Sequence, residues 1–166
     1  MGNRVRSLCR SAVIAALYAA MTFVLAPLSF GAVQFRLAEA LCVLPVLLSE
    51  AVPGLAAGCA IANLLCGAPL SDVLFGTLAT LLAAVLTRLL RKKALPALAM
   101  PPLVNGLIVG PMVYVCYVMG QGAFSWGAML FTALTVALGE AAAVFLPGLG
   151  LLRLLKRVFR KDDSAR

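Results

Sequence analysis

The chain has 166 residues, 63% of them hydrophobic, only 12% charged and none of them histidine, with a formal net charge of +8 and a mean hydropathy of +1.05. A soluble domain of this size needs more polar surface over its core, so the composition points to one domain in a bilayer, where a spanning helix takes ~20 apolar residues. The missing histidine excludes histidine-dependent catalysis, haem and the usual zinc sites, and no GxxxxGK[ST] phosphate loop occurs. Any ATP-driven step therefore belongs to another polypeptide.

Lysine and arginine fall almost entirely into three blocks, at 4–10, 88–93 and 153–166. Basic blocks beside apolar segments mark cytoplasmic ends and leaflet contact, not base recognition. The first block with the apolar stretch 11–28 imitates a signal peptide, but that stretch is longer than a usual h-region and lacks a convincing small-x-small cleavage site before Pro27, so it is taken as the first helix. If all three blocks are cytoplasmic, the number of spans between them is even. Breaks at 27–31, 52–54 and 67–69 divide the region before the second block into helices at 11–28, 37–49, 54–66 and 72–90. The break at 120–122 divides the remainder into helices near 100–119 and 125–152.

The expected fold is thus an all-α integral membrane protein with six transmembrane helices and both termini cytoplasmic. Residues 1–10 form a basic leader, 11–152 the membrane domain and 153–166 a basic tail. The helices at 37–49 and 54–66 are short for a perpendicular span, which predicts irregularity or shielding by protein. A four-span alternative makes 37–66 a re-entrant pair.

Small residues recur at packing distance. Gly54 with Gly58 and Gly106 with Gly110 read as contacts inside the bundle, whereas Ala12, Ala16 and Ala20 suit either an internal neighbour or an external partner. The five cysteines (Cys9, Cys42, Cys59, Cys66, Cys116) include no CxxC pair and read as small packing residues.

Away from the basic blocks the membrane region carries only Arg36, Glu39, Glu50, Asp72 and Glu140. Intramembrane charges are costly and usually face a partner or a cavity. Arg36 and Glu39 are three residues apart and share a face if helical. Asp72, after Ser71, reads either as a first-turn carboxylate opposing the helix dipole or as a site residue. Glu50 reads as a solvated interfacial carboxylate. Glu140, in mid-helix between Gly139 and a run of alanines, needs a partner, a proton or a ligand. Asn63 and Asn105 add amides that bond across helices or bind a ligand. Phe30, Phe35 and Trp126 suit an interfacial aromatic belt, with Tyr114 and Tyr117 as further candidates.

The segment Phe30-Gly31-Ala32-Val33-Gln34-Phe35-Arg36-Leu37-Ala38-Glu39-Ala40-Leu41, followed by Leu44-Pro45, resembles the QueT-type queuosine-precursor transporters. These are substrate-binding S components of energy-coupling-factor (ECF) transporters. The likeness continues through Pro53-Gly54, Gly58 to Asn63, Asp72 with Phe75-Gly76-Thr77-Leu78-Ala79-Thr80, Asn105-Gly106-Leu107 and Gly139-Glu140. It implies a six-helix S-component bundle in a bacterial plasma membrane, with an outward-facing pocket under the first external loop. The first helix's alanine face would meet the EcfT-like transmembrane coupling subunit, two separate ATPases would supply energy, and no cofactor or metal is implied. The implied ligands are 7-cyano-7-deazaguanine, its aminomethyl relative or queuine, with Gln34, Arg36, Glu39, Asn63, Asp72, Asn105 and Glu140 as candidate binding residues. Asn105 is the weakest, because the threading puts it toward the cytoplasmic half.

Two other readings remain open on the residues. One is an S component for another vitamin-like ligand. The other is a stand-alone proton-coupled small-molecule transporter with Glu140 as its carrier carboxylate. A membrane enzyme is disfavoured, since no nucleophile–base pair or metal constellation appears and no catalytic residue is assigned.

Overall fold

The computed structural model describes residues 2–26, 36–120 and 122–164, the last four in their backbone only. Every regular element among them is helical. Helix α1 covers Gly2–Val24, a 3-10 helix covers Leu37–Val46 and α2 covers Ala51–Leu65. Helix α3 spans Asp72–Leu89 and opens with a π turn, Asp72–Gly76. Helix α4 spans Ala94–Val118 and closes with a π turn, Tyr114–Val118. Helix α5 runs over Trp126–Ala143, passes through a π turn at Val144–Gly148 and continues as Leu149–Ser164.

Four of these, α1, α3, α4 and α5, are long and apolar enough to cross a membrane. The outward surface agrees, since large apolar side chains such as Leu8, Leu107, Leu138 and Leu146 are exposed far beyond what a soluble monomer tolerates.

The two shorter helices differ from each other. Nine of the ten residues of the 3-10 helix are buried, and it touches all five α helices. A helix apolar on every side belongs in an interior, and here that interior is protein. At ~2.0 Å per residue the 3-10 form also stretches ten residues to ~20 Å, further than an α-helix of equal length would reach. Its final carbonyls are not left bare: Arg88 of α3 donates to the Pro45 oxygen at 3.1 Å and to that of Val46 at 3.5 Å. Helix α2, by contrast, leaves Ile61, Leu64 and Leu65 exposed.

The glycine pairs pack the bundle internally, as their spacing predicts. A Cβ on Gly54 would lie 2.8 Å from the Ser11 carbonyl oxygen, and one on Gly58 2.8 Å from Cβ of Tyr18. Gly110 is tighter, with Cα of Ala133 2.5 Å from such a Cβ. These glycines let α1 meet α2, and α4 meet α5, backbone to backbone.

Helix α4 begins six residues before the expected 100, and the prolines inside it do not end it. Pro96 sits in the first turn, where its missing N–H has no intrahelical acceptor to serve. Pro101 does strip the Ala97 carbonyl of its usual donor, and the Thr87 hydroxyl of α3 supplies one at 3.1 Å. Tight turns fall where glycine permits them, at Gly67 (φ 64°) and Gly120 (φ 55°).

Candidate functional site

Every charged or amide candidate within the described residues is buried: Arg36, Glu39, Asn63, Asp72, Asn105 and Glu140. Gln34 lies outside those residues. Glu39 is only 1% exposed, and its carboxylate is gripped from two sides. Tyr18 of α1 donates its hydroxyl to Oε1, and the Cys42 thiol donates to Oε2 at 2.8 Å. The second contact follows from local geometry, since side chains at i and i+3 eclipse on a 3-10 helix.

The expected helical face shared by Arg36 and Glu39 does not form. Arg36 precedes the helix in extended backbone (φ −102°, ψ 99°), so its side chain leaves in a direction no helical spacing predicts. The guanidinium nonetheless lies within electrostatic reach of both Glu39 and Glu140. It also crosses the bare backbone of Gly76, where an added Cβ would meet Arg36 Nη1 at 3.5 Å and Asn63 Nδ2 at 3.2 Å. Arg36 and Asn63 thus converge on the π turn that opens α3.

Asp72 lies in the first turn of its helix, as the first-turn reading has it, but its side chain turns inward. It is fully buried, and its Oδ2 accepts the Tyr117 hydroxyl from across the bundle, while its backbone oxygen accepts Asn63 Nδ2 at 3.1 Å. Asn105 turns out to neighbour Glu140, and the two side chains interact. Glu140 in turn feels Glu39 and Arg36, so α4, α5 and the 3-10 helix meet around one cation and two carboxyls.

This cluster keeps unmet hydrogen-bonding capacity. Asn63 Oδ1, Asp72 Oδ1 and Glu140 Oε2 are buried without a hydrogen-bond partner. Buried polar atoms are nearly always paired in folded proteins, so these three orphans leave hydrogen-bonding capacity that water or a polar guest can fill.

Tyr18, Cys42 and Tyr117 escaped the sequence reading. Tyr18 had a signal, a hydroxyl-bearing ring inside an alanine-rich helix. Cys42 had none while its helix was taken as α. The belt assignment fails for Tyr114, which is buried with its hydroxyl accepting the Ser125 N–H at 2.7 Å; Tyr117 keeps an exposed ring while its hydroxyl donates to Asp72. Trp126 is exposed and stacks edge-on against Phe124 at 4.9 Å; Phe30 and Phe35 lie outside the described residues. Packing accounts for Cys42 and Cys59, which are buried, but not for Cys9 and Cys116, which are exposed.

Glu50 sits apart from the cluster, paired to Arg10 of α1 at 3.2 Å. Hydrogen bonds from its own backbone first, then from Arg10 and Ser49, hold its carboxyl below the ordinary range against a smaller opposing effect of burial.

On the opposite side of α1 from Tyr18, Ala12, Ala16 and Ala20 are exposed. They line a shallow apolar groove of about 620 Å³ that Phe23, Ala57 and Ile61 continue.

An apolar helical bundle with exposed hydrophobic flanks around a buried polar cluster is the build of a multi-pass membrane protein. Residues 8–157 match the QueT transporter family, and the chain belongs to that family, one of transporters and not of enzymes. No curated protein and no solved structure matches it.

Proposed function

We propose that this chain is the substrate-capturing S component of an ECF-type importer for a queuosine precursor, a 7-deazaguanine. It threads a bacterial plasma membrane six times with both ends cytoplasmic, and separate coupling and ATPase subunits drive uptake. The observation that carries this reading is the buried set of one guanidinium, two carboxyls and two amides with unpaired atoms between them.

A guanine-like edge offers a ring N–H and an amino group, which suit a carboxylate, and a carbonyl oxygen, which suits arginine or an amide N–H. Glu140, with Oε2 unpaired, is the acceptor for the two N–H groups. Arg36 and Asn105 are the donors for the carbonyl. Glu39, already accepting from Tyr18 and Cys42, presents its remaining lone pairs to the amino group. The alanine groove on α1 is the docking strip for the coupling subunit, since small side chains admit another helix closely.

Calorimetry on the purified chain tests this with 7-cyano-7-deazaguanine, its aminomethyl relative and queuine against thiamine and riboflavin. Binding of a deazaguanine alone is the expected result, and binding of a vitamin alone overturns the ligand assignment. Uptake by cells that lack coupling and ATPase subunits, abolished by a protonophore, would instead establish proton-coupled transport.

A further inference from the structure

The end of the bundle that holds the Arg10–Glu50 pair carries a second cavity, of about 360 Å³, between α1, the end of the 3-10 segment and the last turns of α5. Val13, Ile14, Leu48 and Phe159 make its lining apolar, and Arg6 and Arg10 make it cationic. Four residues apart, the two arginines lie on one face of α1. Arg10 gives Nη1 to Glu50, and Arg6 forms no ion pair among the described residues. Glu39, Asp72 and Glu140 are all committed to the distant polar cluster, and Glu50 is the carboxylate whose side-chain contacts are described at this cationic end; Asp162 and Asp163 follow Phe159 in the last turn of α5.

Its position along the membrane normal follows from length. The apolar helix Trp126–Arg160 has 35 residues, ~52 Å at 1.5 Å per residue against a ~30 Å hydrocarbon core. Its final turns, with Arg153, Lys156 and Arg157 around Phe159, therefore reach headgroup level. The cavity is also continuous with bilayer-facing apolar surface, since Leu8 and Val13 of α1 are 72% and 58% exposed. A soluble acidic peptide would leave that surface uncovered, whereas an acyl chain covers it.

We propose that this cavity binds an anionic glycerophospholipid, its phosphate between Arg6 and Arg10 and one acyl chain along Val13, Ile14 and Leu48 against Phe159. Guanidinium groups bind phosphate through paired charge-assisted hydrogen bonds, and each basic residue near a leaflet adds attraction to anionic lipid. The site is independent of the transport ligand.

Native mass spectrometry of the full-length protein, titrated with phosphatidylglycerol, phosphatidylcholine or glycerol phosphate, measures retention. Phosphatidylglycerol should be retained selectively. The double variant Arg6→Gln/Arg10→Gln should lower its retention by about tenfold or more, and Phe159→Ala by about threefold. Arg6→Lys/Arg10→Lys should keep most of the selectivity, which separates lost charge from lost fold. Equal retention of phosphatidylcholine, or an equal loss in an Arg91→Gln/Lys92→Gln variant, would overturn the proposal in favour of a nonselective groove or diffuse attraction. Glycerol phosphate retained as tightly as the lipid would reduce the site to an anion site. Unchanged lipid retention with loss of a co-purifying protein would make the cavity a protein-docking surface instead.

Discussion

Where α1 crosses α2, side chains have been removed until the Ala15 carbonyl would stand 2.9 Å from a Cβ on Gly58, and both helices keep regular α geometry. Around the polar cluster the reverse holds. Glu39 sits on a 3-10 helix, Asp72 and Tyr117 sit in π turns, and a third π turn begins four residues after Glu140. An apolar contact needs only close approach, which glycine supplies. Bringing carboxyls from separate helices to one guanidinium needs aim, and one inserted residue rotates everything beyond it by about 100° relative to a regular helix. Irregular helix turns thus carry Glu39, Asp72 and Tyr117 of the polar cluster, whereas the closest backbone crossings, at Gly58 and Gly110, lie on regular helices.

The widest separation between the two regions should appear in ligand affinity. Glu39→Gln and Glu140→Gln should each weaken deazaguanine binding at least tenfold, since losing a buried charge-assisted hydrogen bond costs roughly 1.5–3 kcal/mol. Glu39→Gln carries a second penalty, because the amide oxygen can replace only one of the two acceptors now held by Tyr18 and Cys42. Calorimetry on the variants, with Glu50→Gln as the comparator expected to change little, checks both. Loss of binding in Glu50→Gln with the other two neutral would move the site to the opposite end of the bundle.

A bulky residue on the outer face of α1 should act differently from one on its inner face. Ala16→Trp fills the exposed groove and is expected to reduce recovery of the assembled complex by about tenfold, as a clash of 1–3 kcal/mol implies. Ligand binding by the isolated chain should stay nearly unchanged. Co-purification with the coupling subunit measures the first and calorimetry the second; an intact complex with lost ligand binding would assign the stripe to the pocket.

In the inner seam the smallest substitution already matters. Gly58→Ala should cost about 1–3 kcal/mol through overpacking against backbone atoms that cannot yield. Gly150→Ala, where no atom lies within 4 Å of an added Cβ, should leave the thermal midpoint unchanged or raise it slightly through better helix propensity. Equal midpoints for the two variants would mean that α1 and α2 slide apart without loss, and that close approach is not what holds them.

Much of this arrangement is legible in the sequence because membrane insertion imposes coarse rules. The breaks at Gly67 and Gly120, the internal role of the glycine pairs and the burial of Arg36, Glu39, Asp72 and Glu140 all follow from hydropathy, spacing and the cost of charge in lipid. What periodicity could not supply is rotation. Helical spacing would have put Arg36 and Glu39 on one face, but the helix starts after Arg36 and winds at three residues per turn, so Glu39 finds Cys42 instead. Asp72 is in the first turn as its spacing suggests, but only the π turn shows that its carboxylate meets Tyr117. Tyr18 is the clearest omission: it sits among alanines chosen for close packing, and only the tertiary crossing of α1 shows that its hydroxyl ends at Glu39.

The smallest effect belongs to the Arg10–Glu50 contact, which lies outside both regions and joins α1 to the turn before α2. The folded state holds the Glu50 carboxyl below its ordinary value of 4.5, so folding favours the ionised form. Its contribution to stability is therefore fully present above pH 4.5 and is lost as the pH falls through the lowered folded value. Surface ion pairs of this kind contribute at most about 1 kcal/mol. The thermal midpoint of the unaltered chain should exceed that of Glu50→Gln slightly at pH 7, and the difference should close as the solution is acidified. It should also shrink in high salt, as screening of an exposed pair requires. A difference that widened toward acid would mean that the neutral carboxyl is the better partner, and that Arg10 serves the neighbouring cationic cavity without help from Glu50.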